Sequence, residues 1–78
     1  MSILEKVKHT LAKQLEISPD LISAETNIIR DLGADSLDLV ELVMELESVY
    51  NIIITTDEAG DLSRVGAIAS FIEKKLGS

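Results

Sequence analysis

The sequence predicts an all-α fold: a small bundle of three main helices plus one short helix, with a long loop after the first. Three observations carry this. Three segments repeat apolar residues at helical spacing behind capping residues. The β-prone run Ile52-Ile53-Ile54 has no second run to pair with, and a lone three-residue strand is not stable. The single proline follows Ser18 where the first of these segments is expected to end. A chain this short buries only ~60–65% of its unfolded surface, enough for one small core and one domain over residues 1–78. With 46% hydrophobic residues, 3% aromatic and no cysteine, that core is held by aliphatic packing, without disulfides or thiolate zinc sites.

Ser2-Ile3-Leu4-Glu5 fits a capping box and opens the first helix. Ile3, Leu4, Val7, Leu11 and Leu15 form its apolar side, and Ser18-Pro19 is expected to end it, because the residue before proline leaves the α region. Residues Ser18–Arg30 read as a long structured loop tied down by Leu21, Ile22, Ile28 and Ile29. Asp35 is the expected N-cap of the second helix, with Asp38 completing a capping box, and helix formers run from Leu37 to about Val49. Tyr50–Thr56 is expected to pack on the core as an extended loop, and Asp57–Asp61 to make one helical turn. Ser63 is the expected cap of the last helix. Val65, Ile68, Ala69, Ile72 and Leu76 keep helical spacing there, and Lys74, Lys75 and Gly77 suit its C-terminus. Gly66 inside it costs ~1 kcal/mol relative to alanine.

At 100° per residue with Asp38 at zero, Glu45 falls at about 340° and Glu41 at about 300°, one narrow acidic stripe. Leu39, Leu46, Tyr50 and Val43 fall at about 80–140°, with Leu42 and Val49 beside them, and form the core face. Leu37 and Met44 fall at about 260° and 240°, beside the acids and away from the core, so both are expected on the surface. The net charge of −7 is confined: residues 31–61 hold nine acids and no base, while the rest of the chain is nearly neutral or basic. Crowded like charges repel, so a base-free block points to a docking face for basic partners. The same acidity argues against nucleic acid and anionic membranes, the scarcity of aromatics against single-strand binding, and the charged residues in every apolar run against membrane insertion or export.

Catalytic constellations are short of parts. His9 is the only histidine and lies among Lys6, Lys8 and Lys13. Ser36 with His9 and Asp35 lacks the Gly-x-Ser-x-Gly elbow of a hydrolase. Asp31-x-x-x-Asp35 departs from a calcium loop at Gly33 and Ser36, so no metal site is assigned. Ser36 itself sits in the first turn of a helix whose better cap is Asp35, which leaves its hydroxyl free near unpaired N–H groups that favour an anion.

Asp31-Leu32-Gly33-Ala34-Asp35-Ser36-Leu37-Asp38 resembles the phosphopantetheine attachment motif of acyl carrier proteins, and Val40-Glu41-Leu42-Val43-Met44-Glu45-Leu46-Glu47 resembles the recognition helix of the bacterial fatty-acid type. More weakly, the likeness covers the whole chain. It implies an acyl-carrier-like bundle without catalytic residues, in which a separate synthase attaches 4′-phosphopantetheine from coenzyme A to Ser36, beside the motif and capping residue Asp35. The arm's thiol would carry acyl groups as thioesters. The docking set it implies is Leu37, Asp38, Glu41, Met44, Glu45 and Glu47. Its partners would be a holo-carrier-protein synthase, ketosynthases, acyltransferases, reductases and a dehydratase, met through basic patches by a cytoplasmic monomer. A sheltered acyl chain would be lined by Val7, Leu42, Leu46, Ala59, Leu62 and Ala69, chosen as apolar positions. The chain departs from the family's habit at Ile52-Ile53, where acids are common, at Thr55, where proline is common, and at Gly60, Arg64 and Gly66. A specialised carrier for polyketide or lipid A pathways, or an acidic interaction module without a prosthetic group, are the alternatives.

Overall fold

The long helices α1 (Ile3–Leu15) and α3 (Ser36–Tyr50) begin where a side-chain oxygen meets their unpaired N–H groups. In the computed structural model, which describes residues 2–59 and 62–77 apart from the side chains of Thr56 and Ala59, the Ser2 hydroxyl accepts from the Glu5 N–H at 3.1 Å. Asp35 and Asp38 form a full capping box: the Asp35 carboxylate accepts from the Asp38 N–H at 3.0 Å, and the Asp38 carboxylate from the Asp35 N–H at 3.1 Å. Both helices end in a left-handed residue, Glu16 (φ 57°) and Asn51 (φ 54°). After each, the next N–H reaches back, Ile17 to the Ala12 carbonyl at 3.0 Å and Ile52 to that of Glu47 at 3.1 Å. Ser18-Pro19 is therefore not what stops α1, which ends at Leu15 through its own C-cap.

Pro19 instead opens a 3₁₀ turn, Pro19–Leu21, and the expected loop also contains a short helix, α2 (Ile28–Leu32). Asn27 starts α2 by accepting from the N–H groups of Ile29 and Arg30 at 3.1 and 2.8 Å. Of the four residues expected to tie this segment down, Ile22 and Ile28 are buried, whereas Leu21 and Ile29 are exposed. Leu21 and Ile22 are adjacent in the chain, as are Ile28 and Ile29, and in each pair one side chain turns into the core and the other to solvent.

Residues 52–55 form neither helix nor strand, and α4 (Thr56–Ala59) supplies the expected short turn, of which Gly60 and Asp61 lie outside the described residues. Thr55 and Glu58 make a second capping box, with hydrogen bonds of 3.0 Å from the Thr55 N–H to Glu58 and 3.2 Å from the Glu58 N–H to the Thr55 hydroxyl. The Thr55 N–H, and the Thr55 hydroxyl that also donates to the carboxylate at 3.0 Å, hold the Glu58 carboxyl below the usual carboxylate range, helped by the Lys75 ammonium 3.5 Å away. That ion pair joins α4 to α5 (Val65–Gly77).

Ser63 does not cap α5, which begins at Val65. Its carbonyl accepts from the Ile28 N–H at 2.8 Å and its hydroxyl faces the Asn27 amide at 3.3 Å. Two more backbone bonds continue this pairing, from the Val65 N–H to the Thr26 carbonyl at 3.0 Å and from the Gly66 N–H to the Ala24 carbonyl at 2.8 Å. The start of α5 is thus laced to the end of the long loop, with Asn27 and Arg64 as an isolated antiparallel bridge. Thr26, buried in this seam, is satisfied by the Ser23 N–H at 2.9 Å.

α1 packs against α5 and α3, and α2 against α3. Val7, Leu11, Leu42, Leu46, Ile68 and Ile72 are fully buried in one cluster that Ile54 and Leu62 close from the later loop. The core face of α3 is as expected at Leu39, Leu42, Val43 and Leu46, while Val49 is exposed. It lies about 20° from Asp38, at the acidic edge of that face and in the last turn.

The seam makes Gly66 a requirement. A Cβ there would stand 2.8 Å from the Ala24 carbonyl oxygen, a backbone atom that cannot swing away. Gly66→Ala gains ~1 kcal/mol in helix propensity, but overpacking of ~1–3 kcal/mol with loss of the Ala24 bond outweighs it. We expect Tm to fall by about 4–8 °C per kcal/mol of net loss; a raised Tm contradicts the close approach.

Candidate functional site

The site is built by a run of short-range constraints leading away from the seam. Ile28, fixed by Ser63, begins α2; Gly33 ends it in the left-handed region (φ 70°), where a side chain would be strained. Ala34 is buried and its N–H returns to the Ile28 carbonyl at 3.3 Å, which turns the chain into the Asp35–Asp38 box. From α1, the Gln14 side-chain amide donates to the Asp38 carbonyl at 2.7 Å and fixes the first turn of α3.

Ser36 is the first residue of α3, exposed, and its hydroxyl makes no hydrogen bond among the described residues. Asp35 does the capping, so Ser36 is released from a structural role. Beside it, no atom comes within 4 Å of where a Gly33 side chain would begin. Because the Ser36 side chain is itself exposed, an arm joined to it through a phosphodiester leads into solvent rather than into the protein. Electrostatics lean against a free anion at this helix end. The helix end favours a phosphodiester by ~0.3–1 kcal/mol, while each nearby carboxylate, Asp35 and Asp38, opposes it by up to ~1 kcal/mol in water. An anion held here needs a covalent bond, because the helix end alone does not retain it.

Along α3, Glu41 and Glu45 are exposed and Asp38 is half-buried. Leu37 and Met44 are exposed as expected, and Val40 between them is exposed too. Glu47 has a different environment: half-buried, its carboxylate accepts from the Ile54 N–H at 2.7 Å and pins the following loop to α3. That bond spans seven residues across a turn, and helical spacing alone does not reveal it. The sequence reading also missed Gln14, whose partner lies 24 residues away.

A shallow groove of about 410 Å³ runs between α1 and α3, lined by Thr10, Lys13, Gln14, Glu41 and Glu45. Its side chains are all polar or charged, three of them ionic, and offer no aliphatic wall to an acyl chain. Val7, Leu42, Leu46, Leu62 and Ala69 lie instead in the closed core, and the Ala59 side chain lies outside the described residues. Among the described residues no group of three His, Asp or Glu is placed to hold a metal ion.

Comparison with known proteins agrees with this geometry. Residues 5–72 match the model of the family described as "Phosphopantetheine attachment site". The chain is 47% identical over 75 residues to an acyl carrier protein of Bdellovibrio bacteriovorus, covering 96% of each chain. It is 44% identical over 75 residues to one of Thermotoga maritima, covering 96% of this chain and 93% of that one. The solved structure of an acyl carrier protein from Enterococcus faecalis superimposes with a TM-score of 0.79 at 31% identity, over 95% of this chain and 98% of that one.

The division of labour between neighbours is testable by denaturant unfolding. Asp35→Ala is expected to cost about 1 kcal/mol as a lost cap, and Ser36→Ala to stay within about 0.5 kcal/mol of wild type. The reverse ranking would assign the structural role to Ser36.

Proposed function

The chain belongs to the phosphopantetheine-attachment family of acyl carrier proteins, and from that premise we propose that Ser36 is the residue that bears the 4′-phosphopantetheine arm. The supporting observation is the free, exposed hydroxyl at the start of α3, with its helix capped by another residue. The protein is a non-catalytic carrier that holds growing acyl chains as thioesters and delivers them to fatty acid synthesis enzymes. When bound, the arm supplies the thiol that this cysteine-free chain lacks. The chain's own work is to present Ser36 on a fixed helix end, to leave space beside Gly33 for the modifying synthase, and to offer a surface that the enzymes recognise.

That surface is Leu37, Asp38, Glu41, Met44 and Glu45. Its partners are a holo-carrier-protein synthase, ketosynthases, acyltransferases, reductases and a dehydratase, each presenting basic groups to the acids and an apolar seat to the two side chains. Glu47 is left out because its carboxylate is already engaged by Ile54. The whole chain acts as one carrier domain, a monomer of the cytoplasm. An acyl chain enters by parting the core at Val7, Leu42, Leu46, Leu62 and Ala69, where small and branched aliphatic side chains repack at low cost.

Incubation with coenzyme A and a promiscuous phosphopantetheinyl transferase is expected to raise the intact mass of wild type by one phosphopantetheine and to leave Ser36→Ala unchanged. A wild type that stays unmodified, or a variant that is modified, contradicts the assignment. Glu41→Lys is expected to weaken ketosynthase binding. Raising salt weakens the wild-type complex as well, because exposed charges are screened beyond ~10 Å at 0.1 M. Binding indifferent to both changes removes the acidic face from recognition.

A further inference from the structure

Among the described residues the most exposed large apolar side chain is Ile53, at 77%. It lies outside the helical pattern that defines the acidic face, yet the backbone brings it to that face. Leu37, Val40, Met44 and Glu47 follow one another at helical spacing, within a stripe at about 180–260° from Asp38. The first three are 63%, 49% and 61% exposed. At the C-terminal end of the same stripe the Glu47 carboxylate accepts from the Ile54 N–H at 2.7 Å, which places the preceding residue, Ile53, where the stripe ends. Ile54 turns inward and is buried, whereas Ile53 beside it faces solvent. Glu47 would otherwise close the stripe with a free charge, but the loop takes up its carboxylate.

We propose that Ile53 extends Leu37, Val40 and Met44 into a continuous apolar ridge along α3, and that this ridge seats in an apolar depression rimmed by lysine or arginine on an enzyme partner. It deepens the docking reading above and rests on it for the partner's identity. The occupant follows from charge. The ridge lies in the base-free block of residues 31–61, flanked by Glu41 and Glu45, so a second copy of this chain would bring nine acids against nine. A basic rim answers those acids, and the apolar depression answers the ridge. The contribution of Ile53 is burial of apolar surface, which salt does not screen.

The test titrates unmodified wild type, Ile53→Ser and Glu41→Lys against a purified bacterial ketosynthase at low salt and at about 0.5 M salt. Ile53→Ser is expected to weaken binding by about fivefold or more at both salts, with melting close to wild type because the side chain is exposed. Glu41→Lys should show its effect mainly at low salt. Unchanged affinity in Ile53→Ser, a loss confined to low salt, or no wild-type binding overturns the proposal. So does a wild-type dimer in light scattering that Ile53→Ser dissolves, which would make a second copy the occupant. Failure of the carrier assignment is read separately, as the absence of a phosphopantetheine mass increase in wild type.

Discussion

The backbone pairing between residues 24–28 and 63–66 is the constraint on which the functional end of the molecule depends. Its three bonds, Ile28 to Ser63, Val65 to Thr26 and Gly66 to Ala24, join segments far apart in sequence and close the long loop onto the start of α5. The loop has little regular structure of its own, so the seam is what fixes where α2 begins. From there the constraints are local: α2 sets Gly33, Gly33 and the buried Ala34 set Asp35, and Asp35 caps α3 so that Ser36 emerges unengaged. Gly66 is the residue that permits the approach, and its weak helix propensity is the cost of admitting the Ala24 carbonyl.

A second consequence concerns charge. α3 carries its acids along most of its length and has no base in its last turn, where a cation would be favoured by the helix dipole. The arrangement is unfavourable to the isolated chain and becomes favourable against a basic surface. The protein handles part of the repulsion internally. Asp35 and Asp38 are consumed as mutual caps, Glu47 and Glu58 by backbone N–H groups of the following loop and turn, and Glu58 further by Lys75. On α3 only Glu41 and Glu45 carry carboxylates without a partner among the described residues, and with Asp38 at one end and the exposed Leu37, Val40 and Met44 beside them they make a smaller and better defined surface than the raw charge suggests.

Features set by neighbours along the chain were legible in the sequence. The Ser2 cap, the Asp35–Asp38 box, the buried face of α3, the exposure of Leu37 and Met44, and the serine motif all depend on residues within one or two turns. What could not be read was set from a distance or by backbone conformation. Ser63 looks like a cap but answers Asn27 and Ile28 across the seam, and Gly66 looks like a defect until Ala24 is placed against it. The left-handed Glu16, an uncommon residue there, ends α1 ahead of the proline that seems to do so. Leu21, Ile29 and Val49 are apolar at plausible core positions, and only the path of the chain shows that they face outward.

Amide hydrogen exchange tests the central dependence most directly, by comparing the seam with the core and with the site. If the seam holds the loop, the amides of Ile28, Val65 and Gly66 exchange only through global unfolding, as slowly as those of Leu42 and Leu46, while the unpaired amides of Ser36 and Leu37 exchange fast. Seam amides that exchange through local opening, orders of magnitude faster than the core, would contradict it and would leave the presentation of Ser36 without the support described here.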